Sequence, residues 1–246
     1  MSGASRTGTR VLSQAVFETR TLLSNGEQLL VSVVLPALAL VGLTLSSVPD
    51  LGPGRRVDLA VAGTLALAVL STAFTGQAIS TGFDRRAGVL RLFGVTPLGR
   101  GGLLAGKAIA VLVIIGGQVL VLGGLGVALG WRPDLAGIAP MVVTLLLGAL
   151  AFVALALLLA GTVRAEAVLA IANLVWVLLL GLGTLLPTER LPGPLSTLAA
   201  SLPAGALGNA TRSAVDGGWP WAQWGVLTIW GLVAGAAASR FFRWGD

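Results

Sequence analysis

The sequence predicts an all-α membrane protein with six transmembrane helices, and three observations carry that expectation. Of 246 residues, 55% are hydrophobic and only 11% are charged, against roughly 25% charged in soluble domains. Mean hydropathy is +0.92. Charged residues divide the chain into six uncharged runs: 22 residues between Glu27 and Asp50, 25 between Asp58 and Asp84, 24 between Lys107 and Arg132, 29 between Asp134 and Arg164, 22 between Glu166 and Glu189, and 23 between Asp216 and Arg240. A helix needs about 20 apolar residues to cross the hydrocarbon core. Transmembrane strands need about 9–11 residues of alternating polarity, which these runs lack. In lipid the backbone must satisfy its own hydrogen bonds, so such runs become helices.

The spans are placed near 29–48, 59–80, 108–130, 137–163, 167–186 and 222–239. The fourth is long enough to tilt or to extend beyond the membrane. Residues 1–28 are read as an N-terminal region and 29–246 as one six-span domain. Residues 10–25 make an N-terminal amphipathic interfacial helix. Val11, Leu12, Ala15, Val16, Leu22 and Leu23 share one arc, and Arg10, Ser13, Gln14, Glu18, Arg20, Thr21, Ser24 and Asn25 fill the other. Phe17 lies on the polar face. The helix is expected to rest on the lipid surface, or to offer Phe17 and Glu18 to a partner. The apolar run after residue 28 exceeds the h-region of a signal peptide, about 7–15 residues, so no cleaved leader is expected.

Lys and Arg set the orientation. With both termini cytoplasmic, the inner side receives eleven of the sixteen basic residues: Arg6, Arg10, Arg20, Arg85, Arg86, Arg91, Arg100, Lys107, Arg164, Arg240 and Arg243. The outer side receives Arg55, Arg56, Arg132, Arg190 and Arg212. Trp131, Trp219, Trp221, Trp224 and Trp244 fall near span ends, as an aromatic belt requires. Trp176 and Trp230 fall within spans. The excess of basic charge sorts by topology and gathers on no soluble face, which excludes nucleic acid as a partner. The outer stretch 187–220 contains five prolines and is too broken for a seventh span. It is expected to be a re-entrant or surface-lying segment before span six.

Missing residue types narrow the chemistry. The chain has no Cys, His or Tyr. That leaves no Cys/His metal site and no His-based acid–base or nucleophile pair. No metal, catalytic residue or bound cofactor is therefore expected. Residues 101–108, Gly-Gly-Leu-Leu-Ala-Gly-Lys-Ala, approximate a phosphate-binding loop. Ala108 replaces the hydroxyl residue that would hold Mg²⁺, and no strand precedes it. No Asp, Glu, Lys or Arg falls inside the predicted spans, which argues against a proton-driven transporter. The polar groups there are Thr72, Thr75, Gln77, Gln118, Thr144 and Asn173, each able to bond a neighbouring helix. Gln77 and Asn173 are the best placed for a substrate path. Gly126 with Gly130, and Gly231 with Gly235, allow close helix approach within the chain or at a seam between chains.

The most informative segment joins spans two and three. It runs Asp84-Arg85-Arg86-Ala87-Gly88-Val89-Leu90-Arg91-Leu92-Phe93-Gly94-Val95-Thr96-Pro97, and continues through Leu103-Leu104-Ala105-Gly106-Lys107. Val89, Leu90, Leu92 and Phe93 give a short helix an apolar face, and Pro97 forces residue 96 out of the helical region. An acidic–basic start, Gly, a Leu-rich turn, Thr-Pro and Leu-Leu-x-Gly-Lys resemble ABC type-2 exporter permeases of the daunorubicin-resistance-like, drug, lipid and polysaccharide kind. Leu202-Pro203, Arg212 and Gly217 fit the same pattern. Asp84 stands where the family often has Glu, and Gly88-Val89-Leu90 where it often has Gly-Thr-Leu.

The resemblance implies a plasma-membrane permease that exports a hydrophobic or amphipathic cargo. ATP and Mg²⁺ would sit on a separate ATPase subunit, present in two copies, with a second permease chain completing a homo- or heterodimer. The 84–97 loop would be the cytoplasmic coupling helix, with Asp84, Arg85, Gly88, Leu90, Arg91, Leu92, Thr96 and Pro97 docking the ATPase. The alternative is a non-transporting membrane scaffold or assembly factor.

Overall fold

A computed structural model of the chain describes residues 7–94 and 96–243, with only the backbone at 27, 28, 93, 94 and 100. Arg6, Val95 and Trp244, and the side chains of Phe93 and Arg100, lie outside the described residues. Every regular element among the described residues is a helix.

Helix α1 spans Thr7–Ser24. The turn Gly26–Leu29 leads into α2, Leu30–Leu45. Then come α3 (Arg56–Arg86), α4 (Val89–Gly94), α5 (Gly99–Ala128), α6 (Leu135–Thr162) and α7 (Ala165–Thr184). Two short helices, α8 (Pro194–Ser201) and α9 (Pro203–Val215), precede α10 (Trp221–Phe241). The protein is an all-α membrane protein. Four helices, α3, α5, α6 and α7, are long and apolar enough to cross a bilayer. The apolar part of α2 is shorter, and Trp, Gln and Gly dilute α10.

Helix α3 is the axis of the bundle. Residues 60–78 are all buried, and most are Ala, Gly, Ser, Thr or Val, so neighbouring helices approach closely. A Cβ on Gly126 of α5 would come within 2.7 Å of Val61 Cγ2 on α3. Gly231 of α10 places its Cβ position 3.4 Å from Ala151 Cα on α6. These two glycines thus pack within the chain. Gly130 instead has φ +97° and turns the chain out of α5, while a Cβ on Gly235 would meet nothing within 4 Å.

Connections alternate between two ends. One end gathers α1, α4, the turn after α6 and the end of α10, where the Arg243 amide donates to the Gly161 carbonyl at 2.9 Å. The other gathers the segments around 50, 130 and 190. There Arg55 Nη2 donates to the Gly130 carbonyl at 2.5 Å, and Arg190 pairs with Asp50 at 2.8 Å.

The helices overrun the apolar runs. Helix α3 begins at Arg56 and continues to Arg86, beyond the expected 59–80, and α5 begins at Gly99 rather than near 108. Backbone hydrogen bonding does not stop where hydropathy falls. Asp84 and Arg85, placed outside the spans by sequence, consequently sit on the last turn of α3, and Lys107 lies about two turns into α5.

Three helices also widen into π turns, at Leu30–Val34 in α2, Leu70–Gly76 in α3 and Leu180–Thr184 in α7. Such turns disturb the regular i to i−4 pairing. Gln118 of α5 bridges two of them: its Nε2 donates to the Ser32 carbonyl and to Thr72 Oγ1, both at 2.7 Å.

The broken segment 187–220 is decided by packing. Residues 203–208 of α9 are all buried, against α3, α6, α10 and the last turn of α7. The helix is covered by protein and does not lie on the surface. Gly183 has φ +103°, and a Cβ there would lie 2.7 Å from Gly205 Cα. Arg212 Nη1 and Nη2 donate to the Gly183 and Thr184 carbonyls at 3.2 and 2.9 Å, satisfying the frayed end of α7. Trp219, Trp221 and Trp224 cluster at the start of α10 with centroids 5.0 to 5.7 Å apart. Trp176 Nε1 donates to the buried Ser71 Oγ, and Trp230 Nε1, in an exposed bond, to the Ser201 carbonyl, each at 2.9 Å.

Candidate functional site: a charged junction and a side cavity

Three consecutive charged residues end α3, and successive helical positions point about 100° apart. Each therefore reaches a different element. Asp84 Oδ2 accepts from Lys107 Nζ on α5 at 2.7 Å. Arg85, 4% exposed, donates Nη1 to the Ala160 carbonyl and Nη2 to the Val163 carbonyl, both at 2.6 Å. Those carbonyls close α6, whose C-terminal dipole favours a cation. Arg86 pairs with Glu166 in the first turn of α7.

Lys107 is the hub. It is 2% exposed, and its Nζ also pairs with Glu18 Oε2 on α1 at 3.0 Å. Burying an ammonium is costly unless carboxylates and hydrogen bonds compensate, and two carboxylates from two other helices do so here. Glu18 is held in turn by Gln14 Nε2 at 2.9 Å. Gly106 makes the approach possible: a Cβ there would come within 2.7 Å of Gln14 Cγ. Gln14 and Ala15 are the buried residues of α1, whereas Leu12, Val16, Phe17 and Leu23 are exposed. The amphipathic helix thus rests on α5 along the boundary of its two arcs, through Val11, Gln14, Ala15 and Glu18, and leaves Leu12, Val16 and Leu23 of its apolar arc outward, with Phe17.

Gly88, at φ +73°, lets the chain reverse after α3; a residue with a Cβ is strained in that left-handed conformation. In α4, Leu90 points inward at 1% exposure, while Arg91 and Leu92 are exposed, Leu92 by 67%. Thr96 and Pro97 are exposed as well. The Pro97 carbonyl accepts from Arg10 Nη1 at 2.9 Å, tying the loop to α1. The eight loop residues therefore divide. Asp84, Arg85 and Leu90 fasten the loop to the bundle, Gly88 shapes it, and Arg91, Leu92, Thr96 and Pro97 form its outer surface. Of the two α1 residues expected at a partner, Phe17 is exposed and Glu18 is engaged with Lys107.

A cavity of about 430 Å³ opens beside this junction, among α1, α2, α3 and α7. Asp84, Ser80, Thr75 and Asn173 supply polar walls, and Phe83 and Leu169 apolar ones. Gln77 does not join Asn173 there. It is 2% exposed and donates to Thr81 Oγ1 at 2.9 Å. Sequence reasoning missed the Lys107 cluster, although Lys107 is the one lysine among sixteen basic residues and stood in the segment already singled out.

Fold and junction together define a membrane protein whose extramembrane loop is braced against several spanning helices and carries an exposed outer surface. A family model described as ABC-2 type transporter matches residues 11–215, and the chain belongs to that family. It is a transmembrane permease component of an ABC transporter, and members of this family typically work with an ATPase subunit. A search of the curated proteins found no match.

Proposed function

We propose that this permease exports a hydrophobic or amphipathic cargo, and that the 84–97 loop is its coupling element. One observation carries the reading: the loop has an exposed outer surface and an inner surface bonded to α1, α5, α6 and α7. In this reading a push on Leu92 is carried into the bundle. It passes through Asp84 and Lys107 to α1 and α5, through Arg85 to α6, and through Arg86 to α7.

In this reading, both termini and the loop are cytoplasmic, in the plasma membrane, and six helices cross it. ATP and Mg²⁺ reside on two ATPase subunits. Two permease chains form the working unit, with Arg91, Leu92, Thr96 and Pro97 meeting the ATPase and Phe17 near it. Asn173 belongs to the cargo path, as part of the side cavity. Gln77 supports that path from within α3.

The test is ATPase capture by the purified permease, followed by transport in proteoliposomes. Leu92→Arg is expected to weaken capture at least about tenfold, because a central apolar anchor is worth about 2 kcal/mol or more, while the chain elutes as a folded protein. ATP-dependent vectorial movement is expected with the unaltered permease. Capture and export undiminished in Leu92→Arg would overturn the docking assignment. Capture without vectorial movement of any amphiphile would favour a scaffold.

A further inference from the structure

We propose that Arg212 is a two-position latch on the end of α7 opposite the 84–97 loop. In one position it holds that end against α9. In the other it pairs with Asp216 and Glu189 and lets the end go. The latch is a property of this chain alone; that its release opens a way out for cargo rests on the exporter reading.

The held position is the one the structure shows. Arg212 donates to the Gly183 and Thr184 carbonyls and to Asn209 Oδ1. The two carbonyls lie where α7 has already left helical geometry, with Leu182 at φ −89°, ψ 50° and Gly183 at φ +103°. Carbonyls at a helix end lack an intrahelical partner, and the guanidinium serves them instead. Gly208 lets the two backbones touch, since a Cβ there would overlap the Gly183 carbonyl.

That position is poorly compensated. Arg212 is 9% exposed, yet it forms no ion pair among the described residues. Its Nε has no hydrogen-bond partner there either. A buried cation with only neutral partners keeps much of its desolvation penalty, and an unpaired donor adds to it.

The second position is within reach. A cavity of about 300 Å³ opens beside Arg212, with Asp216 and Glu189 on its walls. Both acids are exposed, and neither carboxylate bonds another described residue. Arg190, the other arginine on those walls, is already paired with Asp50. Asp216 follows Arg212 by four positions, a spacing at which side chains on a helix meet. Rotation of the Arg212 side chain thus exchanges carbonyls for carboxylates.

α7 is suited to respond. It is the least buried of the four long spanning helices, so little packing opposes its movement. Leu169 and Asn173, nearer its other end, line the side cavity. Release at one end of α7 therefore reaches that cavity along a single helix, and two discrete arrangements of one side chain supply the bistable element that a gate needs.

The test uses the full chain in nanodiscs, without ATPase, with Thr184→Cys as its one thiol. Thr184 is 0% exposed, so a water-soluble maleimide modifies a cysteine there only while the end of α7 is released, and the rate reads the released fraction. Arg212→Gln is expected to raise the rate at least about tenfold, because hydrogen bonds from a charged donor are lost. Asp216→Asn with Glu189→Gln removes the second position and is expected to lower the rate about twofold or more. A side chain that only supported the fold would give the first effect without the second. As a control, Ala110→Cys in place of Thr184→Cys, also 0% exposed and near the loop, should label at one rate in every variant. Thermal unfolding checks that each variant is folded. Where Arg212→Gln does not fold, the double carboxylate variant, altered only at exposed positions, decides by itself. A rate unchanged or raised in that double variant, or unchanged in folded Arg212→Gln, overturns the proposal. Opposite effects on the rate in a permease that exports nothing keep the latch and remove the exporter reading. Export by the unaltered chain, with labelling indifferent to the carboxylates, does the reverse.

Discussion

Lys107 is a side chain whose loss should be costly. Its ammonium is buried, and removing it leaves Glu18 and Asp84 facing one another uncompensated. Breaking a fully buried pair costs about 3–5 kcal/mol. Asp84 is one-third exposed, so solvent screens part of that, and about 2–3 kcal/mol is expected for Lys107→Met. In detergent-solubilised protein this corresponds to a fall in Tm of roughly 4–12 °C. Glu18→Gln should cost less, because Lys107 keeps Asp84. A Tm for Lys107→Met within a degree of the unaltered protein would show that the cluster contributes nothing to stability. The same cluster shows what a single sequence hides. Glu18 reads as a polar-face residue open to a partner, yet it bonds a lysine 89 positions away. Periodicity reports which residues share a face, not which face meets which.

At the scale of elements, α1 behaves as part of the bundle. An amphipathic pattern alone places it on the lipid surface. The structure seats it on α5, because Gly106 removes the side chain that would hold it off. A Cβ on Gly102 would lie 3.6 Å from Val11 Cγ2, the branch atom whose place the sulfur of a cysteine at 11 can take, once the Leu98 side chain turns aside, which brings two sulfurs at these positions within reach of one another. The chain contains no cysteine, so Val11→Cys with Gly102→Cys is a clean pair. Oxidation should give an internal crosslink visible as a mobility shift. Leu23→Cys with Gly102→Cys should give none, and equal crosslinking of both pairs would mean that α1 slides freely. The α4 turn gives a second contrast. Leu90→Arg should lower the folded fraction, since an arginine cannot be accommodated where leucine is 1% exposed, whereas Leu92→Arg should not. Size-exclusion profiles of the two variants check this directly.

For the whole molecule, alternation of the connections between two ends is the feature that function requires. It places the 84–97 loop, both described termini and the Arg86–Glu166 pair at one end, and the α8–α9 pair at the other. Single cysteines at Leu92 and Leu135 separate the two ends. In right-side-out vesicles, a membrane-impermeant maleimide should label Leu135→Cys and spare Leu92→Cys, with the reverse in inside-out vesicles. Labelling of both from one side would refute the alternation and the proposed orientation together.

Composition and the spacing of charges determined by themselves that this chain is an all-helical membrane protein, where its apolar runs lie, and which loop is unusual. They could do so because the bilayer penalises every charge and every unpaired backbone group, and that penalty is written residue by residue. Tertiary structure decided the rest: that Lys107 gathers Glu18 and Asp84, that Gln77 turns away from Asn173, and that Leu90 and Leu92 face opposite ways. It also sinks α9 among α3, α6 and α10. Those outcomes depend on distances between residues far apart in the chain, and they are fixed only when close-packed helices choose their neighbours.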